Sequence, residues 1–151
     1  MISPNGKMIA FNLKERRPLA YTPKRIAVMN VSGKNIRILT NDLDGDAENI
    51  IWSQDNQSIH FTYDQRGIRK IGKVGLNGDI KNIASNVGGT TIGRPYISGD
   101  YHTESDTIAF TQSSPDRPAD IAVVNGDELK VLTNLNEDLL AHRKLGEVNE
   151  I

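Results

Sequence analysis

One phrase recurs three times in this chain, at a period of about fifty residues, and it constrains the fold more than any single residue does. SPNGKMIAF at residues 3–11 returns as SQDNQSIHF at residues 53–61, and IAF at residues 108–110 marks a third copy. The three phenylalanines of the chain, Phe11, Phe61 and Phe110, all occupy one slot of this repeat. Two further landmarks follow each copy in fixed order. VSGK, LNGD and VNGD come first, and ILTN, NIASN and VLTN close the units. Tandem units of this size cannot cover an apolar face alone and must stack on one another.

Between the landmarks the residues read as strands. MIAFNLK, SIHFTYD and TIAFTQS alternate apolar with polar residues and are rich in Phe and β-branched side chains. RIAVMNV, IRKIGKV and DIAVVN form the next run of each unit. The pairs Asn77-Gly78 and Asn125-Gly126 predict tight type I′ hairpins, and Ser32-Gly33 predicts a weaker version of the same turn. Each unit therefore reads as a four-stranded antiparallel meander, the size and strand count of a β-propeller blade. A sandwich of three hairpins, the alternative, does not require in-register repeats.

The predicted fold is all-β: a partial β-propeller of about three four-stranded antiparallel blades in an open arc, with a short C-terminal linker. Residues 1–42 form a blade lacking most of its first strand, of which MIS remains, so that the chain is expected to begin mid-blade. Residues 43–90 and 91–135 form the next two blades. Residues 136–151 form the linker, a charged stretch without β alternation that suits a helical turn or two up to Gly146. Residues 101–104, YHTE, read as a connection. Closed propellers use roughly four to eight blades, so an arc of three exposes sheet edges. Such an arc is expected to belong to something larger or to self-associate.

Charge and composition narrow the partners. Eighteen Lys and Arg are scattered among nineteen Asp and Glu, for a net charge of -1, which argues against a nucleic-acid footprint. There is no cysteine, hence no disulfide framework and no thiolate metal site. No apolar run approaches the roughly 18–20 residues that a membrane-spanning helix needs. No nucleic-acid or membrane partner is expected, and the compartment stays open between cytoplasmic and periplasmic or secreted.

The SPNGK and WSQDN hairpins resemble the Ser-Pro-Asp-Gly-Lys and Trp-Ser-Pro-Asp-Gly hairpins of propellers in the prolyl oligopeptidase family and in the Tol-system periplasmic propeller. Residues 110–151 are similar to the last propeller blade and exit linker of the acylaminoacyl-peptidase and dipeptidyl-peptidase branch of that family. SSP with PADI (residues 113–121) and LTNLN (residues 132–136) carry the likeness. The resemblance implies that an α/β-hydrolase domain of the same polypeptide holds the serine-peptidase site, and that this segment caps it and gates peptide substrates by size. Two departures bear on blade boundaries: Gln54, Asp55 and Asn56 replace Pro-Asp-Gly, and the third unit has a longer connection. The alternative implied by the Tol-system likeness is a stand-alone or oligomeric propeller that binds proteins.

No Gly-x-Ser-x-Gly elbow is present, so a nucleophile of that type is absent. His60, His102 and His142 fall on a strand, a connection and the linker, and His60 sits in an alternating polar slot that suggests a solvated face. No triad is assembled from them, and the catalytic residues of the resembled family map to no position here. Catalytic, cofactor-binding and metal residues are accordingly all expected to be none. Residues 42–48, DLDGDAE, place acids at alternate positions as a calcium loop does, but lack the glycine and glutamate positions of an EF-hand and read as a connection. Glycines of residues 72–78 and 88–89 lead into strand and loop rather than helix, so no phosphate cradle is expected. Arg69, Arg94 and Arg117 are either ordinary rim residues or suited to steer a peptide carboxylate.

Overall fold

The computed structural model describes residues 1–16, 21–89, 98–105 and 107–146. Among these residues, eleven strands and one helical turn make three antiparallel meanders in chain order. The first sheet holds β1 (Met8–Lys14), β2 (Lys24–Asn30) and β3 (Arg37–Ile38). The second holds β4 (Glu48–Trp52), β5 (Ser58–Gln65), β6 (Ile68–Gly75) and β7 (Ile80–Ser85). The third holds β8 (Tyr101–Glu104), β9 (Thr107–Ser114), β10 (Arg117–Asn125) and β11 (Glu128–Val131). The turn α1 (Glu137–Leu140) follows. Among the described residues none of the sheets closes on itself, and the architecture is the partial propeller that the repeat predicts.

The repeat has a physical meaning in the strand registers. Phe11 stands opposite Ala27, Phe61 opposite Gly72 and Phe110 opposite Ala122. Each phenyl ring thus lies over a small residue on the neighbouring strand, which leaves the ring room on the sheet surface. The Leu-Thr landmark is equally concrete. Leu39 donates its N–H to the Ile26 carbonyl while the Thr40 Oγ1 accepts the Ile26 N–H, at 2.8 and 2.9 Å. Leu132 and Thr133 do the same to Ile121, at 2.7 and 2.9 Å. The hydroxyl satisfies a backbone donor where the outermost strand has ended. In the second sheet Ala84 remains in the ladder opposite Ile71, and the landmark there reads Ala-Ser instead.

Two clusters hold the sheets together. Ala10, Ile26 and Val28 of the first sheet pack with Ile59, Phe61, Tyr63 and Val74 of the second. Ile71 and Ala84 on the other face of the second sheet pack with Ile108, Phe110, Ala122 and Val124 of the third. Burying a Phe or Ile side chain stabilises by about 1.5–3 kcal/mol, so these clusters, and not the strand edges, fix the stack. Before β1, Ile2 bridges Ile9 and the Met1 amino group donates to the Ala10 carbonyl at 2.8 Å. Trp52, 5% exposed, donates its indole N–H to the Met1 carbonyl at 3.2 Å.

Several sequence expectations are corrected. Residues 101–104 are the strand β8 rather than a connection; Tyr101 and Thr103 are buried while His102 and Glu104 are exposed. Its four residues are pinned by the Tyr101 hydroxyl, which donates to the Asn49 carbonyl at 2.5 Å. The hairpins at Asn77-Gly78 and Asn125-Gly126 are not type I′, because neither asparagine has positive φ. Gly78 (φ 94) instead follows a turn closed by its own N–H on the Gly75 carbonyl, and Gly33 (φ 77) repeats this after Asn30. This is a three-residue loop with a left-handed residue at its end. The type I′ pair is Arg66-Gly67, with φ of 52 and 75, between β5 and β6. Asn56 (φ 60) takes the place that Gly6 (φ 71) holds in the first hairpin, so the departure from Pro-Asp-Gly preserves the turn.

Candidate functional site

β5 decides where polar chemistry can sit. Six consecutive residues of it, 58–63, are buried, because sheets lie against both of its faces. His60 is therefore not on a solvated face; it is 4% exposed. Among the described residues its Nδ1 has no hydrogen-bond partner, and neither has the nearby Ser58 Oγ. Burial pushes the imidazole down to about 4, and the Lys73 ammonium adds to that, with Asp55 opposing. His60 is thus neutral at neutral pH.

These groups line a groove of about 600 Å³ between the second and third sheets. Ser58, His60 and Lys73 form one side, and Ile108 and Val124 form the other. The turns of the two sheets supply Asn77, Asp79, Asn125 and Asp127 at its end. Alternation in the sequence locates His60 on a face but is silent on what covers that face, and this is why the groove was not foreseen. The signal that could have found it is the repeat itself: aligned on Phe11, Phe61 and Phe110, the slot of His60 holds alanine in the other two units, Ala10 and Ala109.

The remaining candidates are not brought together. His102 lies exposed on β8 and His142 lies exposed beyond α1. Arg69, whose side chain is 14% exposed, is held by both oxygens of Asp64 at 2.9 and 3.2 Å and by Glu48 at 3.4 Å. It is neither an ordinary rim arginine nor free to take a carboxylate. Arg117 donates to Asp120 at 3.1 Å, to Glu137 at 2.8 Å and to Asn134. Asp120 also accepts the Leu135 N–H at 2.7 Å and the Thr133 hydroxyl at 2.9 Å. The Leu135 N–H, then the Thr133 hydroxyl and Arg117, hold the Asp120 carboxyl below the usual carboxylate range against the opposing effect of burial. This network ties α1 to the third sheet. Arg94 lies outside the described residues.

In the loop at residues 42–48, Asp42 and Asp44 are exposed, while Asp46, Glu48 and three backbone carbonyls are taken up by neighbouring donors. Asp46 accepts the Lys24 N–H at 2.7 Å and the Tyr21 hydroxyl at 2.9 Å, and Glu48 pairs with Lys24. Arg25 donates to the carbonyls of Leu43 and Gly45, and Asn12 donates to that of Ala47 at 2.7 Å. Among the described residues no group of three His, Cys, Asp or Glu is placed to hold a metal ion. Residues 72–75 lie in β6, and the Gly88 N–H donates to the Thr111 carbonyl at 3.0 Å, so neither glycine run forms a cradle. Residues 90 and 91 lie outside the described residues.

The outer face of the first sheet is the counterpart of the faces that hold Phe61 and Phe110. Ile9, Phe11, Leu13 and Met29 lie half-buried there and Ile38 is 39% exposed. In the second and third sheets this face packs on the preceding sheet.

No protein-family model matches the chain, and no curated protein sequence matches it. Solved structures do. The β-propeller domain of the trilobed protease of Pyrococcus furiosus, reported with an open velcro topology, superposes with a TM-score of 0.64 at 19% identity. That match covers 93% of this chain and 38% of the other. A putative TolB of Agrobacterium tumefaciens gives 0.61 at 20% identity, over 88% of this chain and 44% of the other. The acylaminoacyl peptidase of Pyrococcus horikoshii gives 0.57 at 15% identity, over 87% and 24%. The chain thus shares the β-propeller fold while spanning less than half the length of each of these proteins.

Proposed function

We propose that this chain is a non-catalytic propeller segment of a prolyl-oligopeptidase-family serine peptidase, capping and size-gating an active site carried by an α/β-hydrolase domain of the same polypeptide. The observation that carries the reading is the repeated Phe slot. Three sheets stack in register through it, and the first sheet offers its own Phe11 face for a further sheet in the same way. A stack of that kind can ring a passage that admits extended peptides and excludes folded proteins. Support comes from the peptidases among the proteins of the same fold and from the sequence resemblance of residues 110–151. The acylaminoacyl-peptidase and dipeptidyl-peptidase branch is the finer form of the same proposal.

The test is to read the gene on both sides of these codons and express its whole product. A downstream Gly-x-Ser-x-Gly elbow, fluorophosphonate labelling of the product and cleavage of short peptides but not folded proteins are expected. A stop codon after residue 151 in intact genomic sequence, with no hydrolase frame, would overturn it. The TolB match at a comparable TM-score favours one second reading, a protein-binding propeller. That reading predicts an unlabelled product that binds a protein partner.

A further inference from the structure

The three sheets share one register, so equivalent slots can be compared directly. Facing the next sheet, the first unit carries Met8, Ala10 and Val28, and these pack in the first cluster. The third unit carries Thr107, Ala109 and Val123 at those slots. The middle unit alone carries Ser58, His60 and Lys73. His60 stands directly opposite Lys73, and Lys73 directly opposite Lys81, so three basic side chains lie abreast on β5, β6 and β7. Like charges opposite one another on neighbouring strands repel. Neither lysine is paired with a carboxylate among the described residues.

The row borders the groove between the second and third sheets. Buried polar atoms without partners are uncommon in folded proteins, and here two that have none among the described residues, Ser58 Oγ and His60 Nδ1, sit beside a lysine at the same groove. The wall opposite is apolar: Ile108 and Val124, with Ile83 beside the row. Asp79 and Asp127 line the end of the groove, and Asp79 accepts from the Asn77 amide at 2.5 Å. Two apolar sheet faces meeting here would need none of this, as the first and second sheets demonstrate.

We propose that the groove binds a small organic anion, with its carboxylate or phosphate group on Ser58, His60 and Lys73 and its body against Ile83, Ile108 and Val124. Lysine and hydroxyl donors provide charge-assisted hydrogen bonds to such a group. A neutral imidazole donates from Nδ1 when an anion accepts there. Asp79 and Asp127 disfavour a second negative charge at the far end and favour a tail that carries donors.

The full chain, labelled at the His imidazole nitrogens and the Ile and Val methyls, is titrated with glycerol 3-phosphate, butyrate and succinate and followed by NMR. Saturable shifts of His60, Ile108 and Val124 are expected, with succinate weaker than butyrate. Whether glycerol 3-phosphate or butyrate binds more tightly assigns the group as phosphate or carboxylate. Lys73→Val, which installs the valine of the other two units, should weaken binding about tenfold or more while the chain stays folded. Lys81→Gln, at the exposed rim, should weaken it several-fold. A bound anion should also raise the His60 ionisation from about 4. The charged groups around that imidazole are Lys73, Lys81, Asp79, Asp127 and Asp55, and a bound anion offsets the depressing effect of Lys73. No saturable shift up to about 20 mM, or equal affinity in Lys73→Val, overturns the proposal.

Discussion

Gly72 offers the sharpest test of how the sheets are packed. A Cβ added there meets Phe61 Cζ at 2.7 Å, Phe61 Cε1 at 2.9 Å and Tyr63 Cε1 at 3.1 Å. Phe61 is fully buried, and its ring centroid lies 5.5 Å from that of Tyr63 at 37°, so it has nowhere to retreat. Gly72 has no positive φ, so backbone strain does not enter. Overpacking a core costs about 1–3 kcal/mol. Replacing glycine by alanine at a compatible backbone returns about 0.4–1 kcal/mol through the unfolded chain. Gly72→Ala should therefore destabilise by about 1–2 kcal/mol, a fall in Tm of roughly 2–8 °C for a chain of this size. The slot accepts alanine elsewhere: Ala27 lies under Phe11 and Ala122 under Phe110. There the next residue on the same face is Leu13 or Gln112, where the second sheet has Tyr63. Tyr63→Leu should accordingly relieve the clash, with a coupling of at least about 0.5 kcal/mol. Urea unfolding of the parent, the two single variants and the double variant at one protein concentration measures it. A Gly72→Ala chain as stable as the parent, or an equal cost with and without Tyr63, refutes the packing argument.

Three further outcomes follow from the same contacts. The folded-state value of His60 lies below its unfolded one, so its contribution is present above about pH 6.5 and is lost as pH falls towards 4; the unfolding free energy from urea titrations should drop by at most about 1.4 kcal/mol per pH unit and about 3 in all. His60→Ala should flatten that slope. Thr40→Val strands the Ile26 N–H in a site with no exposure and should cost about 1–3 kcal/mol, whereas Thr133→Val, where water reaches Ile121, should cost under about 1. The uncovered face of the first sheet should drive concentration-dependent self-association in light scattering, and Phe11→Lys should reduce it; a persistent monomer in both would count against an adhesive face.

Period, strand count and landmark order were legible in the sequence because they reflect recurring contacts: Phe opposite a small residue in all three units, and Thr on a backbone donor in the first and third. What the sequence hid has one common cause. Alternation reveals which side chains share a face, but the covering of that face is a property of the stack. His60 looked solvated because its neighbours in sequence are mixed; it is buried because a third sheet lies over it. The strand β8 was missed for a related reason, since four residues carry too little pattern and its stability comes from Phe110 opposite Tyr101 and from the hydrogen bond to Asn49. Turn type depended on which residue of each Asn-Gly pair takes positive φ. Glycine alone does so after β6 and β10, while Arg66 joins Gly67 after β5. Arg69 and Arg117 read as available cations, yet their carboxylate partners lie 5 residues and 3 residues away across tight hairpins or bulges, as well as on the neighbouring strand or turn.

Aromatic-to-methyl NOEs from Phe61 and Phe110 test the stacked-sheet architecture most directly. Phe61 should contact methyls of Ala10, Ile26 or Val28, Phe110 should contact those of Ile71 or Ala84, and the two rings should show no cross-peak to each other. A direct Phe61–Phe110 cross-peak would place both rings in one core and contradict the stack.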